Sequence, residues 1–121
     1  VQERKAFGKR IMDLQNTRFK LAEAKTKAEV LRSFVNDCIS RLINGNLDAP
    51  TASMAKYWGS QVQNEVMDEC LQLHGGYGYI KESPVERYYR DAPLMIIGEG
   101  TNEVMRLVIA KQLLRLPEYQ L

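Results

Sequence analysis

Residues 14–46 read LQNTRFKLAEAKTKAEVLRSFVNDCISRLINGN, and this stretch decides the fold. Leu14, Leu21, Ala28, Leu31, Val35, Cys38 and Leu42 recur at three-, four- and seven-residue intervals, the spacing of one helical face. No glycine or proline interrupts them. Asn44-Gly45-Asn46 then supplies a stop, because glycine takes the left-handed backbone that closes a helix at little steric cost. The pattern predicts one long amphipathic helix.

Downstream the same logic repeats. Asp48 is placed to cap a second helix, with Pro50 tolerated in its first turn. Ala55, Trp58, Val62, Val66, Cys70 and Leu73 form its apolar stripe, and Gly75-Gly76 ends it. Gly59 inside that helix costs about 1 kcal/mol relative to alanine, which predicts a close helix crossing there. From Gly76 to Gly98 the pattern is irregular, broken by Pro84 and Pro93, with one short helix expected over Val85–Arg90. A third long helix is expected from Thr101 to Leu116. In it Val104, Met105, Leu107, Val108, Ile109, Leu113, Leu114 and Leu116 cover most of the circumference. A helix apolar nearly all round needs a second packing surface, which implies self-association. The fold class that follows is all-α, an antiparallel bundle of three long helices plus a short one.

Composition narrows the function classes. A chain of 121 residues suits one domain with a modest core, and 45% apolar content with four prolines excludes disorder. The net charge of +2 comes from interspersed signs, not from a basic block, so no nucleic-acid partner is expected. No apolar stretch approaches the roughly 20 residues that span a bilayer, and none reads as a signal peptide. Cys38 and Cys70 lie on apolar faces without metal-ligand spacing and read as small buried hydrophobes of a reducing compartment. His74 is the sole histidine, so no metal site is expected.

The residues most suited to chemistry are Ile97-Gly98-Glu99-Gly100-Thr101. Glycine on both sides of one carboxylate removes side-chain bulk and frees the backbone for close approach by a ligand. The preceding run Leu94-Met95-Ile96-Ile97 is expected to exclude water there, which would favour Glu99 as a general base. The plainer alternative is an acid that complements the dipole of the helix that follows. Elsewhere, Arg90 and Asp91 read as an ion pair fixing the loop, and Tyr57 and Trp58 as core or interface aromatics.

Three further segments join this one. They are Arg4-Lys5-Ala6-Phe7-Gly8-Lys9 with Gln15, then Gln72-Leu73-His74-Gly75-Gly76-Tyr77-Gly78-Tyr79, then Pro84-Val85-Glu86-Arg87 with Arg90-Asp91-Ala92. In this order, with Gly98-Glu99-Gly100-Thr101 following, the whole chain resembles the C-terminal helical domain of the acyl-CoA dehydrogenases. The resemblance implies a flavoenzyme of fatty acid metabolism that removes the α-proton of an acyl-CoA thioester while a β-hydride passes to FAD. It makes Glu99 the catalytic base and Gly100 a substrate-site residue. Arg4, Phe7 and Gln15 become FAD contacts, and Gln72, Leu73, His74, Gly75 and Gly76 the segment beside the adenosine of a neighbouring subunit's FAD. Thr101, Asn102 and Glu103 match a phosphate-facing turn, with Glu103 the member whose charge fits least. His74 carries no proton-transfer role.

By the same resemblance, the expected partners are acyl-CoA, an electron-transfer flavoprotein and further copies of the chain, as a dimer or tetramer. The compartment is a bacterial cytoplasm by preference, or a mitochondrial matrix. A same-fold acyl-CoA oxidase and a catalytically silent assembly module are the competing readings. Val1-Gln2-Glu3-Arg4 reads as the tail of a helix already under way. Residues 1–121 are therefore expected to form a single C-terminal domain of a longer chain, inactive alone, with apolar surface left for a partner.

Overall fold

The first long helix stops where the sequence says it must, and the geometry of that stop organises the bundle. Gly45 takes φ 75°, its N–H donates to Leu42 O at 3.1 Å, and the N–H of Asn46 donates to Arg41 O at 2.9 Å. This pair of bonds satisfies the last carbonyls of the helix and turns the chain back. Two residues later the Asp48 carboxylate accepts from the Thr51 N–H at 3.1 Å and the Thr51 hydroxyl at 2.6 Å, starting the next helix. Two long helices joined by so short a turn have no choice but to pack antiparallel.

The computed structural model describes residues 1–115, so the expected helical position Leu116 lies outside the described residues. Strands β1 (Lys5–Ala6) and β2 (Lys9–Arg10) form a small antiparallel hairpin, followed by a 3₁₀ turn over Ile11–Asp13. Helix α1 covers Gln15–Ile43 and α2 covers Ala49–His74. A 3₁₀ turn over Gly75–Gly78 leads to α3 (Pro84–Asp91), α4 (Leu94–Ile97) and α5 (Asn102–Arg115). Lys20 pairs with Glu69 at 3.4 Å and Lys27 with Glu65 at 3.1 Å across the antiparallel α1–α2 contact. Helix α2 is the hub, with α1 on one side and α3, α4 and α5 on the others.

Several expectations change in detail. Val1–Arg4 is not helical, because the chain folds back into the hairpin: Ile11 N–H donates to Arg4 O at 2.9 Å and Met12 N–H to Val1 O at 3.1 Å. The seam of α1 runs through Thr17, Ala24, Lys27, Leu31, Phe34, Val35 and Cys38, whereas Ala28 and Leu42 are exposed. The drift arises because 3.6 residues per turn does not keep strict seven-residue spacing on one face. The stretch 76–98 is mostly short helices, not irregular chain. Arg90 pairs with Glu86 one turn back in α3 at 3.5 Å, not with Asp91, since side chains four apart on a helix meet and adjacent ones do not.

Burial is thin. Cys38, Val62, Val85 and Ala92 are the buried apolar residues, while Val30, Ile39, Leu42 and Ile43 of α1 and Val104, Leu107 and Leu114 of α5 stand in the open. The predicted close crossing is present: a Cβ on Gly59 would lie 3.3 Å from Leu31 Cδ1.

Gly59→Val should therefore drive a branched side chain into Leu31 and lower unfolding free energy by about 1–3 kcal/mol, the usual cost of overpacking. Gly59→Ala, which needs only a small shift of a flexible leucine and gains helix propensity, should stay within about 1 kcal/mol of the parent. Urea denaturation of the two variants checks the order.

Candidate active site

Helix α2 carries a line of polar residues four apart, Lys56, Ser60 and Asn64, next to its apolar stripe. Side chains at this spacing stack on one helical face. Together they grip the chain from Ala92 to Asn102. The Asn64 amide donates to Ala92 O at 3.0 Å and to Ser60 O at 2.8 Å. Lys56 Nζ donates to Ile96 O at 3.2 Å, Gly100 O at 2.6 Å and Asn102 Oδ1 at 2.8 Å. Asn102, only 4% exposed, donates from Nδ2 to Ser60 Oγ at 2.9 Å and Tyr57 O at 3.3 Å. No spacing rule in the chain announces this network, since Lys56 and its partners lie 40 to 46 residues apart. The one legible trace was the polar line at helical intervals.

Glu99 sits on the held segment. Its φ of 55° is left-handed, a conformation that costs a residue with a side chain of order 1–3 kcal/mol and tends to mark functional sites. Among the described non-glycine residues only Phe7, at φ 54°, shares it. The two flanking glycines do different jobs. Gly100 takes φ 96°, and a Cβ there would meet Met105 Cε at 2.7 Å. Gly98 has ordinary backbone, φ −71°, but a Cβ would come within 3.1 Å of Leu94 O. Thr101 caps α5, its hydroxyl accepting from the Val104 N–H at 3.2 Å. Glu103 is exposed in the first turn, where its charge complements the helix dipole.

The water-excluding role expected of Leu94–Ile97 is not realised within this chain. These residues wind into the single turn α4, and Leu94, Met95 and Ile97 are all exposed, as is Glu99. One helical turn has only part of its circumference on α2, and the rest faces outward. Between α4 and α2 a cleft of about 540 Å³ opens, lined by Glu99, Gly98 and Met95 on one wall and by Ala55, Gly59 and Ser60 on the other. Small residues on α2 make that room.

A second group forms at the opposite end of α2. Phe7 and Gly8, both with positive φ, make the two-residue turn of the β1–β2 hairpin, and the Phe7 ring is 98% exposed. The hairpin is clasped to α1 by Asp13, which accepts from Arg10 Nε and Nη2 at 2.9 Å each and from Arg18 Nη2 at 3.4 Å. The Arg10 guanidinium holds the Asp13 carboxyl below its usual range, so the clasp is complete at neutral pH and is lost only as pH falls through that lowered value. So held, Arg4 lies over the end of α2, its Nη1 3.5 Å from His74 O, and a Cβ on Gly75 would overlap its guanidinium. Gln15, Gln72, His74, Gly75 and Gly76 are exposed around it, and Leu73 is half-buried. His74 turns Nδ1 to Cys70 O at 2.7 Å, back onto its own helix. A cleft of about 670 Å³ between Arg4, Leu21, Leu73 and Tyr77 opens beside them.

The expected site residues thus form two groups, not one. Arg4 and Gln72–Gly76 meet at the C-terminal end of α2, with Phe7 at the exposed tip of the hairpin that follows Arg4 and Gln15 at the start of α1; Glu99, Gly100, Thr101, Asn102 and Glu103 gather near its middle. From Gly59 to Gln72 is 13 residues, roughly 20 Å of helix at about 1.5 Å per residue.

A sequence profile described as "Acyl-CoA dehydrogenase, C-terminal domain" matches residues 1–114. The chain is 49% identical over 93% of its length to the mitochondrial long-chain specific acyl-CoA dehydrogenase of Mus musculus, covering 26% of that protein. It is 45% identical over 95% of its length to the caffeyl-CoA reductase-Etf complex subunit CarC of Acetobacterium woodii, covering 30%. The crystal structure of an acyl-CoA dehydrogenase from Geobacillus kaustophilus superposes with a TM-score of 0.92 at 43% identity, over 96% of this chain and 30% of that one. The chain therefore spans under a third of the length of these relatives.

Asn102 tests the geometry directly. Asn102→Ala should leave Lys56 and Ser60 short of a buried partner and lower unfolding free energy by about 1–3 kcal/mol. Chemical denaturation measures it, and a change below about 0.5 kcal/mol would mean the network contributes little.

Proposed function

Because this chain belongs to the acyl-CoA dehydrogenase family and matches its C-terminal domain, we propose that it provides the α-proton base and part of the cofactor contacts of an FAD-dependent acyl-CoA dehydrogenase. The observation that carries the reading is Glu99. It is an exposed carboxylate in left-handed backbone, between Gly100, whose φ of 96° disfavours any side chain, and Gly98, where a Cβ would crowd Leu94 O, at the mouth of a cleft. A catalytically silent assembly module has no need to keep that strain at an acid.

The α C–H of a thioester is a weak acid, so its removal needs a carboxylate held within reach and donors to the thioester carbonyl. In this reading Glu99 takes the proton, its own N–H donates to the carbonyl oxygen, and Gly100 lets the substrate approach. Burial of the site then comes from surfaces that cover α4 in the working enzyme. FAD, when bound, supplies the acceptor for the hydride that leaves the β-carbon. The second group fits such a dinucleotide: Arg4 offers a guanidinium fork to a pyrophosphate, and bare Gly75 and Gly76 leave the backbone accessible. Gln72, Leu73 and His74 border the same place, Phe7 and Gln15 are assigned to the cofactor by the family resemblance, and the N–H groups of Thr101, Asn102 and Glu103 lie at a helix start that favours phosphate.

Roughly 20 Å between the groups supports a division of labour, with Arg4 and Gln72–Gly76 serving the FAD of a second copy. The apolar faces of α1 and α5 are the surfaces for assembly as a dimer or tetramer. The A. woodii relative is named for a complex with Etf, and an electron-transfer flavoprotein is the electron acceptor this reading assigns. No helix of the described residues is long and apolar enough to cross a membrane. With Cys38 and Cys70 both free, a bacterial cytoplasm or a mitochondrial matrix is the compartment we favour.

In the holoenzyme, Glu99→Gln should reduce turnover by about 10²–10⁴ while acyl-CoA still binds, as expected for loss of a general base. Wild-type rates of flavin reduction would remove Glu99 from the role. Arg4→Ala should weaken FAD binding by about 1.5–3 kcal/mol, the worth of a charge-assisted hydrogen bond. Flavin titration checks it, and unchanged affinity would make Arg4 a solvated side chain.

A further inference from the structure

We propose that Lys56 is a positioning residue for Glu99, holding the base in its strained backbone through a three-pronged ammonium contact; this rests on the reading of Glu99 as the base. An ammonium has three N–H donors, and here each has an acceptor: Ile96 O, Gly100 O and Asn102 Oδ1. With all three committed inside the chain, Lys56 is not a free cation for a phosphate or a carboxylate, although it borders the cleft. Its acceptors bracket Glu99, three residues before it, one after and three after. The third is the buried side chain that opens α5. One cation therefore ties the end of α4, the left-handed pair Glu99-Gly100 and the start of α5 to the middle of α2. The strain at Glu99 persists only if its surroundings over-determine it, and this contact is the connection that does so. The effect of Lys56 runs through Glu99 and not through contact with substrate.

Lys56→Met, which keeps length and packing but removes the donors, is measured in the holoenzyme beside Glu99→Gln. A base displaced by about 1 Å can cost 10²-fold, so kcat should fall about 10- to 100-fold with KM for acyl-CoA within threefold of wild type. Flavin content and helicity should be unchanged. Hydrogen exchange of the bonded amides that flank Glu99, Gly98 N–H on Leu94 O and Met105 N–H on Thr101 O, should quicken at least about tenfold, while residues 62–70 of α2 exchange as before. Lys56→Gln, which retains two donors on a shorter arm, should fall between wild type and Lys56→Met in both readouts and serves if the methionine variant does not fold. Turnover within threefold of wild type, wild-type exchange at those amides, or a loss of kcat matched by equal loss of flavin and helicity would each overturn the proposal. The exchange result stands apart from the base assignment. If Glu99→Gln alone leaves turnover intact, the role of Glu99 falls while the holding role of Lys56 is still judged.

Discussion

Lys56 is half-buried, and the way its ammonium finds three oxygens of the chain organises the segment around Glu99. Its three oxygens come from the end of one helix, a loop and the start of another. Ser60 and Asn64 extend the same grip along α2, so a stretch with little regular structure of its own is fastened to the longest-range element of the bundle. Hydrophobic burial could not have done this. Buried apolar side chains are few and small, and contacts among them are non-directional. Hydrogen bonds supply direction, and direction is what a strained backbone at Glu99 requires.

The opposite end of α2 is held by different means. There a short hairpin is clasped through Asp13 and lays Arg4 over the last turn of the helix, where a glycine makes space for the guanidinium. One fastening is on α2, through Lys56, Ser60 and Asn64, and the other on α1, through Asp13 and Arg18, and the packing of α1 on α2 sets their separation. Under the proposed function that separation has a purpose: one copy would present its base to its own substrate and its arginine to another copy's cofactor. On the same proposal the apolar residues exposed on α1 and α5 would serve as assembly surface.

Much of this is legible in the sequence. The glycine stop at 44–46, the Asp48 cap and the crossing at Gly59 each follow from a local rule about one or two residues, and each is present. Gly98-Glu99-Gly100 is legible as a stretch of unusual backbone, although Glu99 itself takes positive φ along with Gly100, and Gly98 keeps an ordinary φ where a Cβ would crowd Leu94 O. What could not be read depends on distant partners. Val1–Arg4 looks like the end of a helix until Arg4 meets the end of α2, 70 residues away, and the chain bends into a hairpin to bring it there. Leu94–Ile97 looks like a dry wall, but dryness depends on what lies against it. Lys56 looks like a solvated lysine because nothing near it in sequence hints at its acceptors.

The most direct test of the whole account is a crystal structure of the holoenzyme with an unreactive acyl-CoA analogue. The account predicts a Glu99 carboxylate oxygen about 3–3.5 Å from the α-carbon, the spacing of a reactive approach, with Lys56 still bonded to Ile96 O and Gly100 O and Arg4 beside the FAD of another copy. A Glu99 turned away from the thioester, with a different carboxylate at the α-carbon, would contradict it.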